Sequence, residues 1–335
     1  MNITIIGAGV AGLTCAAEFV ARGAKVAILE RGPQVGSHAC SWWAGGMLAP
    51  WCEGENTDPS VVRLGKDAMG WWREHSDNVK QNGTLVLALG RDVSELKSFA
   101  RRTEQHVSVD ADMIAELEPD LSGRFRQGLF FADEGHLDPR KTIKLLAQKL
   151  VAQGVEFQFN VNADATAITA QKQTDLVVDC RGLAAQDSTR DLRGVKGEML
   201  LLRSKDITLS RSIRLLHPRI PLYVVPRGND LFMVGATMIE NSERERISAR
   251  SIFEMLGSAF ALHPAFSEAE IVEIGVDARP AFPDNLPRVR WQGKTLCVNG
   301  MYRHGFLLAP AMARMAAKVV FDQADIPEMM DEYSY

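Results

Sequence analysis

The chain opens on MNITIIGAGVAGLTCAAEFVARGAKVAILER, and no other stretch narrows the choice of fold so far. Ile3, Thr4, Ile5 and Ile6 read as a short buried strand. Gly7, Gly9 and Gly12 follow as G-x-G-x-x-G, then an apolar helical run from Val10 to about Ala21, ended by Gly23. Ala24 to Leu29 form a second apolar strand closed by Glu30. Each piece has a physical task. Gly7 permits a tight turn, Gly9 lets backbone approach a pyrophosphate, and Gly12 lets the helix sit close to the strand. At the helix start, Val10 and Ala11 present unpaired N–H groups and the positive end of the dipole to phosphate charge. Glu30 is placed to accept both ribose hydroxyls and would repel a 2′-phosphate, which disfavours NADP. Arg31 follows directly, either as a further cofactor contact or as a solvated charge. The glycine spacing alone is weak, but strand, helix, Gly23 and terminal acid stand in register with it, so the unit predicts dinucleotide binding.

The remaining sequence separates FAD from NAD. An NAD enzyme usually continues with alternating strands and helices, whereas this chain breaks off after one strand–helix–strand unit. Residues 36–55 are rich in Gly, Ala, Trp and Ser and too irregular for a regular element. Ser60 to His75 reads as one helix with Val61, Leu64, Ala68, Trp71 and Trp72 on its apolar side. Another helix begins at Asp138-Pro139, an N-cap followed by proline at the first helical position. Its apolar face is Ile143, Leu146, Ala147, Leu150 and Val151, and Gly154 ends it. The strand VEFQFNV, ending at Val161, comes next. DLVVDCRGLAA then runs as a buried strand into a turn at Gly182, which suits a flavin fold returning its chain to the cofactor. Segments 83–89, 128–131, 198–203, 222–227 and 231–235 have strand character with few helices between them, which predicts an antiparallel sheet. The expected fold class is α/β (α+β overall): a discontinuous Rossmann-like FAD-binding domain with an inserted antiparallel-sheet substrate domain. The expected boundaries are 1–78, 135–187 and 272–335 for the first, and 79–134 and 188–271 for the second.

Bulk properties exclude several classes. A net charge of -4 over 335 residues gives no basic footprint for nucleic acid. The five cysteines, at 15, 40, 52, 180 and 297, have no metal-like spacing and read as reduced thiols, so a cytoplasmic address is expected. No uninterrupted apolar run reaches membrane-spanning length, and the glycine-broken start lacks the basic region of a signal peptide. A homo-oligomer is compatible with the sequence, which does not specify one.

Several stretches in order, namely the opening unit, SWWAGGMLAP, GHLDPRKTIKLLA, DLVVDCRG, YVVPRGNDLFMVGAT, ARP and YRHGFLLAPA, resemble the D-amino-acid-oxidase group of flavoproteins. Within it the resemblance is nearest to the glycine oxidases of thiamin biosynthesis. It implies non-covalent FAD, with no cysteine or histidine placed to bond the flavin and Cys297 read as a buried strand residue. It implies that Gly46 and Met47 of GGMLAP lie near the flavin face, and that backbone N–H groups around Gly305, Phe306 and Leu307 lie near its pyrimidine side. The helix behind them is expected to begin near Pro310. Arg279 of ARP would grip the substrate carboxylate in two prongs. Without the resemblance, it reads first as a surface partner of Asp277 or Asp284. Tyr223 would lie near the same carboxylate, and Arg303 would border the cavity.

The implied activity is FAD-dependent oxidative deamination of a small, glycine-like amino acid. Hydride passes from Cα to flavin N5, giving an imino and then a keto acid, ammonia and, with dioxygen, hydrogen peroxide. The alternatives are a dehydrogenase or an oxidase of sarcosine, proline or D-amino acids, or a flavoprotein binding subunit without turnover. Trp42, Trp43 and Trp51 would line a pocket or face a partner. The chain departs from the family pattern at Met301, where histidine is usual, and at His304, where asparagine is usual and which reads as a surface turn residue. AFPDN also follows Arg279-Pro280 without the usual glycine.

Overall fold

The strand Asn2–Ile6 is apolar on both faces because it becomes the middle of a sheet covered on both sides. The computed structural model describes residues 1–170, 174–218, 221–324 and 329. In it, the strand pairs in parallel with Lys25–Glu30 on one side and Leu176–Asp179 on the other, Ile3 standing opposite both Val26 and Leu176. The full order is Arg288–Gln292, Thr295–Asn299, Leu176–Asp179, Asn2–Ile6, Lys25–Glu30, Glu156–Phe159. Only the outermost hairpin strand, Arg288–Gln292, is antiparallel. Ile5, Ile28 and Val178 are fully buried in this sheet, each apolar side chain of that size contributing about 1.5–3 kcal/mol.

The helix Val10–Ala21 packs against the C-terminal helix Gly305–Phe321. Small side chains at the contact (Ala16, Ala309, Ala313 and Ala316, all fully buried) let the two backbones come close. The C-terminal helix begins at Gly305, five residues before the expected start at Pro310. A proline inside a helix leaves the carbonyl four residues earlier without its N–H. Here that carbonyl belongs to Phe306, and the Trp72 indole Nε1–H donates to it at 2.7 Å. The helix therefore runs through Pro310 with its freed acceptor satisfied.

Trp72 reaches that carbonyl because the single helix expected over 60–75 is two, Pro59–Gly65 and Ala68–His75, with Lys66 and Asp67 between them. The break falls where Gly65 passes Leu307 so closely that a Cβ would lie 2.8 Å from Leu307 Cγ. The helix Pro139–Ala152 is capped as expected: the Asp138 carboxylate accepts from the N–H groups of Arg140 and Lys141. Its buried face is Ile143, Leu146, Ala147 and Leu150, while Val151, expected on that face, lies on the last turn and is exposed.

An eight-stranded sheet forms the second layer, in the order Glu270–Ala281, Arg193–Arg203, Leu231–Gly235, Leu222–Gly228, Ser212–Leu216, Thr84–Ala88, Gln127–Phe131, Val107–Asp110. All pairs are antiparallel except Ser212–Leu216 with Thr84–Ala88. One face is closed by the helix Ala249–Leu262 through Met255, Ala259 and Leu262. On the other, Met199, Leu201, Val225 and Met233 meet Trp43, Met47 and Tyr223. A separate three-stranded sheet is formed by Met47–Leu48, Gly135–Leu137 and Val79–Lys80. Among the described residues no helix is long and apolar enough to cross a membrane.

Candidate active site

Where the two large sheets meet, a cavity of about 370 Å³ opens, and its wall is drawn from both ends of the chain. Gly7, Gly9, Val10 and Ala11 form one end of it. Gly7 has φ of 104°, a conformation that glycine adopts without strain. Gly12 does not reach the cavity. A Cβ there would run into the Gly7 carbonyl oxygen, so Gly12 acts by letting the helix close on the turn. The helix Val10–Ala21 has no side-chain cap and no acidic residue in its first turn, which leaves its positive end free for an anion. One first-turn donor is satisfied, the Val10 N–H reaching Ser41 Oγ at 3.3 Å.

Glu30 lies 5% exposed at the strand end. Its Oε2 accepts from the Ala8 N–H at 2.7 Å and its Oε1 from the Gly32 N–H at 2.8 Å. A carboxylate has about four lone-pair positions, so these two bonds fix its orientation and leave acceptor capacity facing the cavity. Arg31, Val161 and Gly182 also line it. The Arg31 side chain is exposed, with Nη2 donating to the His38 carbonyl at 3.3 Å. Arg181, beside Gly182, is clamped by Asp179 and Asp187.

The segment Gly45–Met47 is held in place by Arg227, which the sequence reading passed over. Its guanidinium donates to the carbonyls of Leu137 at 2.7 Å, Ala44 at 3.0 Å and Gly45 at 2.9 Å. Burial, with only carbonyls for partners, pushes this arginine down to about 10. Gly46 and Met47 thereby line the cavity, as do Gly305, Phe306 and Leu307 at the N-terminus of the C-terminal helix. The first N–H groups of a helix have no partner inside it.

Arg279, Tyr223 and Arg303 lie on the same cavity wall. Arg279 is paired with neither Asp277, which binds Arg244, nor Asp284, which binds Arg288. Its only hydrogen bond among the described residues is from Nη1 to the Thr237 carbonyl at 3.1 Å. The guanidinium passes over Gly197, where any Cβ would collide with it. Tyr223 packs its ring on Gly45, where a Cβ would lie 3.0 Å away. Burial raises its phenol above the usual tyrosine value, against the opposing pull of Arg279, Arg214, Arg227 and Arg303, so it is a neutral donor.

Arg303 belongs to a charged array the sequence did not disclose. Its Nη2 lies 2.8 Å from Glu53 Oε2 and 2.6 Å from Asn56 Oδ1. Arg214 binds the other Glu53 oxygen. Burial pushes the Glu53 carboxyl up, but Arg303 and Arg214, with the His304 hydrogen bond, outweigh it and hold Glu53 well below the carboxylate range. His304, expected at a surface turn, is 4% exposed, with Nε2 2.9 Å from Glu53 Oε2. The same nitrogen lies 3.2 Å from Arg303 Nε and cannot accept there while donating to Glu53. The bond to the carboxylate is the stronger, which puts the proton on Nε2 and leaves buried Nδ1 bare. Burial lowers the His304 pKa, so the ring is neutral near pH 7.

Trp43 lines the cavity, and Arg140 stacks over both Trp42 and Trp43 at 4.9 and 4.7 Å. Trp51 is covered by Lys66 at 4.6 Å. Cys297 is buried in its strand, its thiol pushed up to about 12 by burial.

A signal for Glu53 and Arg214 was present but isolated. Glu53 is a carboxylate following Pro-Trp-Cys, and Arg214 is a cation inside the apolar strand Ser212–Leu216. Their pairing spans 161 residues and leaves no local pattern.

The family model for FAD dependent oxidoreductases, DAO, matches residues 2–319. A candidate thiamine biosynthesis oxidoreductase, ThiO, of Rhizobium etli is 49% identical over 329 residues, covering 98% of this chain and 99% of its own length. A glycine oxidase of Bacillus licheniformis is 26% identical, covering 94% of this chain and 92% of its own. The crystal structure of glycine oxidase from Geobacillus kaustophilus superposes with a TM-score of 0.79 at 21% identity, covering 97% of this chain and 95% of that one.

Proposed function

This chain belongs to the DAO family of FAD-dependent oxidoreductases, and on that premise we propose that it oxidatively deaminates a small amino acid of glycine size. The observation that carries the reading is Arg279. It is a half-buried guanidinium facing the cavity, with no carboxylate partner among the described residues and a neutral tyrosine hydroxyl on the same wall. Such a pair suits a substrate carboxylate, because the planar guanidinium matches its geometry and stays charged at every working pH.

FAD, once bound, would supply a two-electron acceptor for the hydride of the substrate carbon, with dioxygen as the expected final acceptor. The chain supplies grip, orientation and charge. Gly7, Gly9 and the uncapped helix at Val10 would hold the pyrophosphate, and Glu30 the ribose. Met47 and Gly46, fixed through Arg227, would bound the flavin ring on one side. The N–H groups of Gly305, Phe306 and Leu307 would face negative charge growing on the ring. Arg279 and Tyr223 would fix the carboxylate so that the Cα–H faces the ring. Arg303, tethered to Glu53, would add positive potential without mobility. No nucleophile or metal is required, and orientation provides the main advantage. The 49% identical relative carries a thiamine-biosynthesis name and the Bacillus licheniformis relative the name glycine oxidase, and both support glycine as the first substrate to try.

Glycine added without oxygen should bleach the visible flavin band of the purified protein, and admitting air should restore it with release of peroxide. A flavin that stays oxidised with glycine, sarcosine and D-alanine overturns this reading. A flavin that is reduced but ignores air points to a dehydrogenase.

A further inference from the structure

Behind Arg214, away from the cavity, four buried polar atoms are short of partners among the described residues: Ser212 Oγ and Arg214 Nε have none, and Thr84 Oγ1 and Glu134 Oε2 have none beyond the contact of the Thr84 hydroxyl with the Glu134 carboxyl. Their positions converge. Ser212 and Thr84 are direct partners on neighbouring parallel strands, so their side chains leave the sheet together, and Arg214, two residues on, shares that face. Glu134 enters beside them, its Oε1 accepting from the Cys52 N–H at 2.8 Å and its carboxyl lying against the Thr84 hydroxyl. Glu134, Thr84 and Ser212 are each 0% exposed.

Buried polar atoms with nothing to bond are rare, and several facing one another are bridged by internal water, which makes about three hydrogen bonds. We propose that Thr84, Ser212, Glu134 and Arg214 ring an internal water site, and that through it the Glu134 carboxyl sets the positive charge which the Arg214–Glu53–Arg303 array presents to the substrate. Glu134 is thus a positioning residue that touches neither substrate nor flavin. The inference rests on the reading that the cavity binds a carboxylate.

Burial raises the Glu134 carboxyl to about 7, against the Cys52 N–H and Thr84 bonds that oppose the rise. The carboxyl is therefore neutral below that value and anionic above it. The other groups facing it or the array titrate elsewhere. Burial holds the Cys52 thiol well above its usual value, Glu53 is held well below, and burial lowers His304. Tyr223 is raised, and Arg214 stays charged. Above about pH 7 a new negative charge behind Arg214 opposes the array, and a bound carboxylate is held less tightly.

Acetate tests this without turnover, because it carries a carboxylate, has no amine to titrate, and its binding can be read from the perturbed flavin spectrum of the holoenzyme. Its Kd should rise roughly tenfold between about pH 6 and about pH 8.5. Glu134→Gln, which keeps the acceptor for Cys52, should hold Kd near its low-pH value throughout. Ser212→Ala removes one ligand of the water that supports the anionic carboxylate, and should move the midpoint upward. A Glu134→Gln protein with the wild-type pH dependence overturns the proposal. If that variant fails to retain flavin, an unmoved midpoint in Ser212→Ala does the same. Acetate that binds with a flat pH profile in the wild type removes the inference and leaves the carboxylate reading standing. Acetate that binds at no pH removes both.

Discussion

A guanidinium that faces a cavity with only the Thr237 carbonyl as acceptor among the described residues has donors to spare, and Arg279 is in that position. Its neighbours differ: Arg244, Arg288 and Arg303 each have a carboxylate. Charge-assisted hydrogen bonds are worth about 1.5–3 kcal/mol, so Arg279→Ala should raise the KM for the amino acid by roughly 10- to 150-fold. The spectral Kd for acetate should rise in parallel while the flavin content stays at the wild-type level. Unchanged values of both would remove Arg279 from the site. Single residues stand out in the sequence where chemistry leaves few options, and Arg279, Glu30 and Gly7 all line the cavity. His304 was misplaced because the sequence around it is a Gly-bounded turn, and its burial follows from Glu53, 251 positions away.

The opening strand–helix–strand unit shows how an element can depend on one missing side chain. Gly12 touches no part of the cavity, yet a Cβ there would strike the Gly7 carbonyl and force the helix Val10–Ala21 away from the turn. Gly12→Val should therefore yield a protein that purifies with little or no yellow colour, measured as absorbance per mole of chain. Retained flavin at wild-type stoichiometry would contradict the packing account. Elements with strong local signals were legible: this unit, the capped helix at Asp138 apart from its exposed Val151, and the strand Leu231–Gly235. The break between Gly65 and Ala68 and the helix start at Gly305 were not. Both are settled by tertiary partners, Leu307 beneath Gly65 and the Trp72 indole on the Phe306 carbonyl.

For the molecule as a whole, the cavity wall joins the two large sheets, so a ligand filling it contacts both layers at once. Binding to the folded chain alone raises stability by about 2.7 kcal/mol when free ligand stands at 100 times its Kd. Protein stripped of flavin should melt at a lower Tm, and added FAD should raise that Tm progressively with concentration. A Tm indifferent to FAD would separate the cavity from cofactor binding. The architecture was legible at this scale because parallel apolar strands and alternating ones differ in pattern. How strands as distant in sequence as those of Ile3 and Leu176 become neighbours was not, because that follows from long-range pairing.

The order of the six-stranded sheet also constrains how the chain is made. Asn2–Ile6 leaves the ribosome first, but its partner Leu176–Asp179 follows some 170 residues later, and Thr295–Asn299 and the helix Gly305–Phe321 come last. At about 5–20 residues per second the glycine turn waits many seconds for the helix that packs beside it. During that time the apolar faces of Ile3, Ile5 and Leu13 lack their final cover, and chaperones have their opportunity there. Flavin capture is therefore expected only once the helix Gly305–Phe321 has been made, and a chain terminated before Gly305 should keep an intact fingerprint and hold no cofactor.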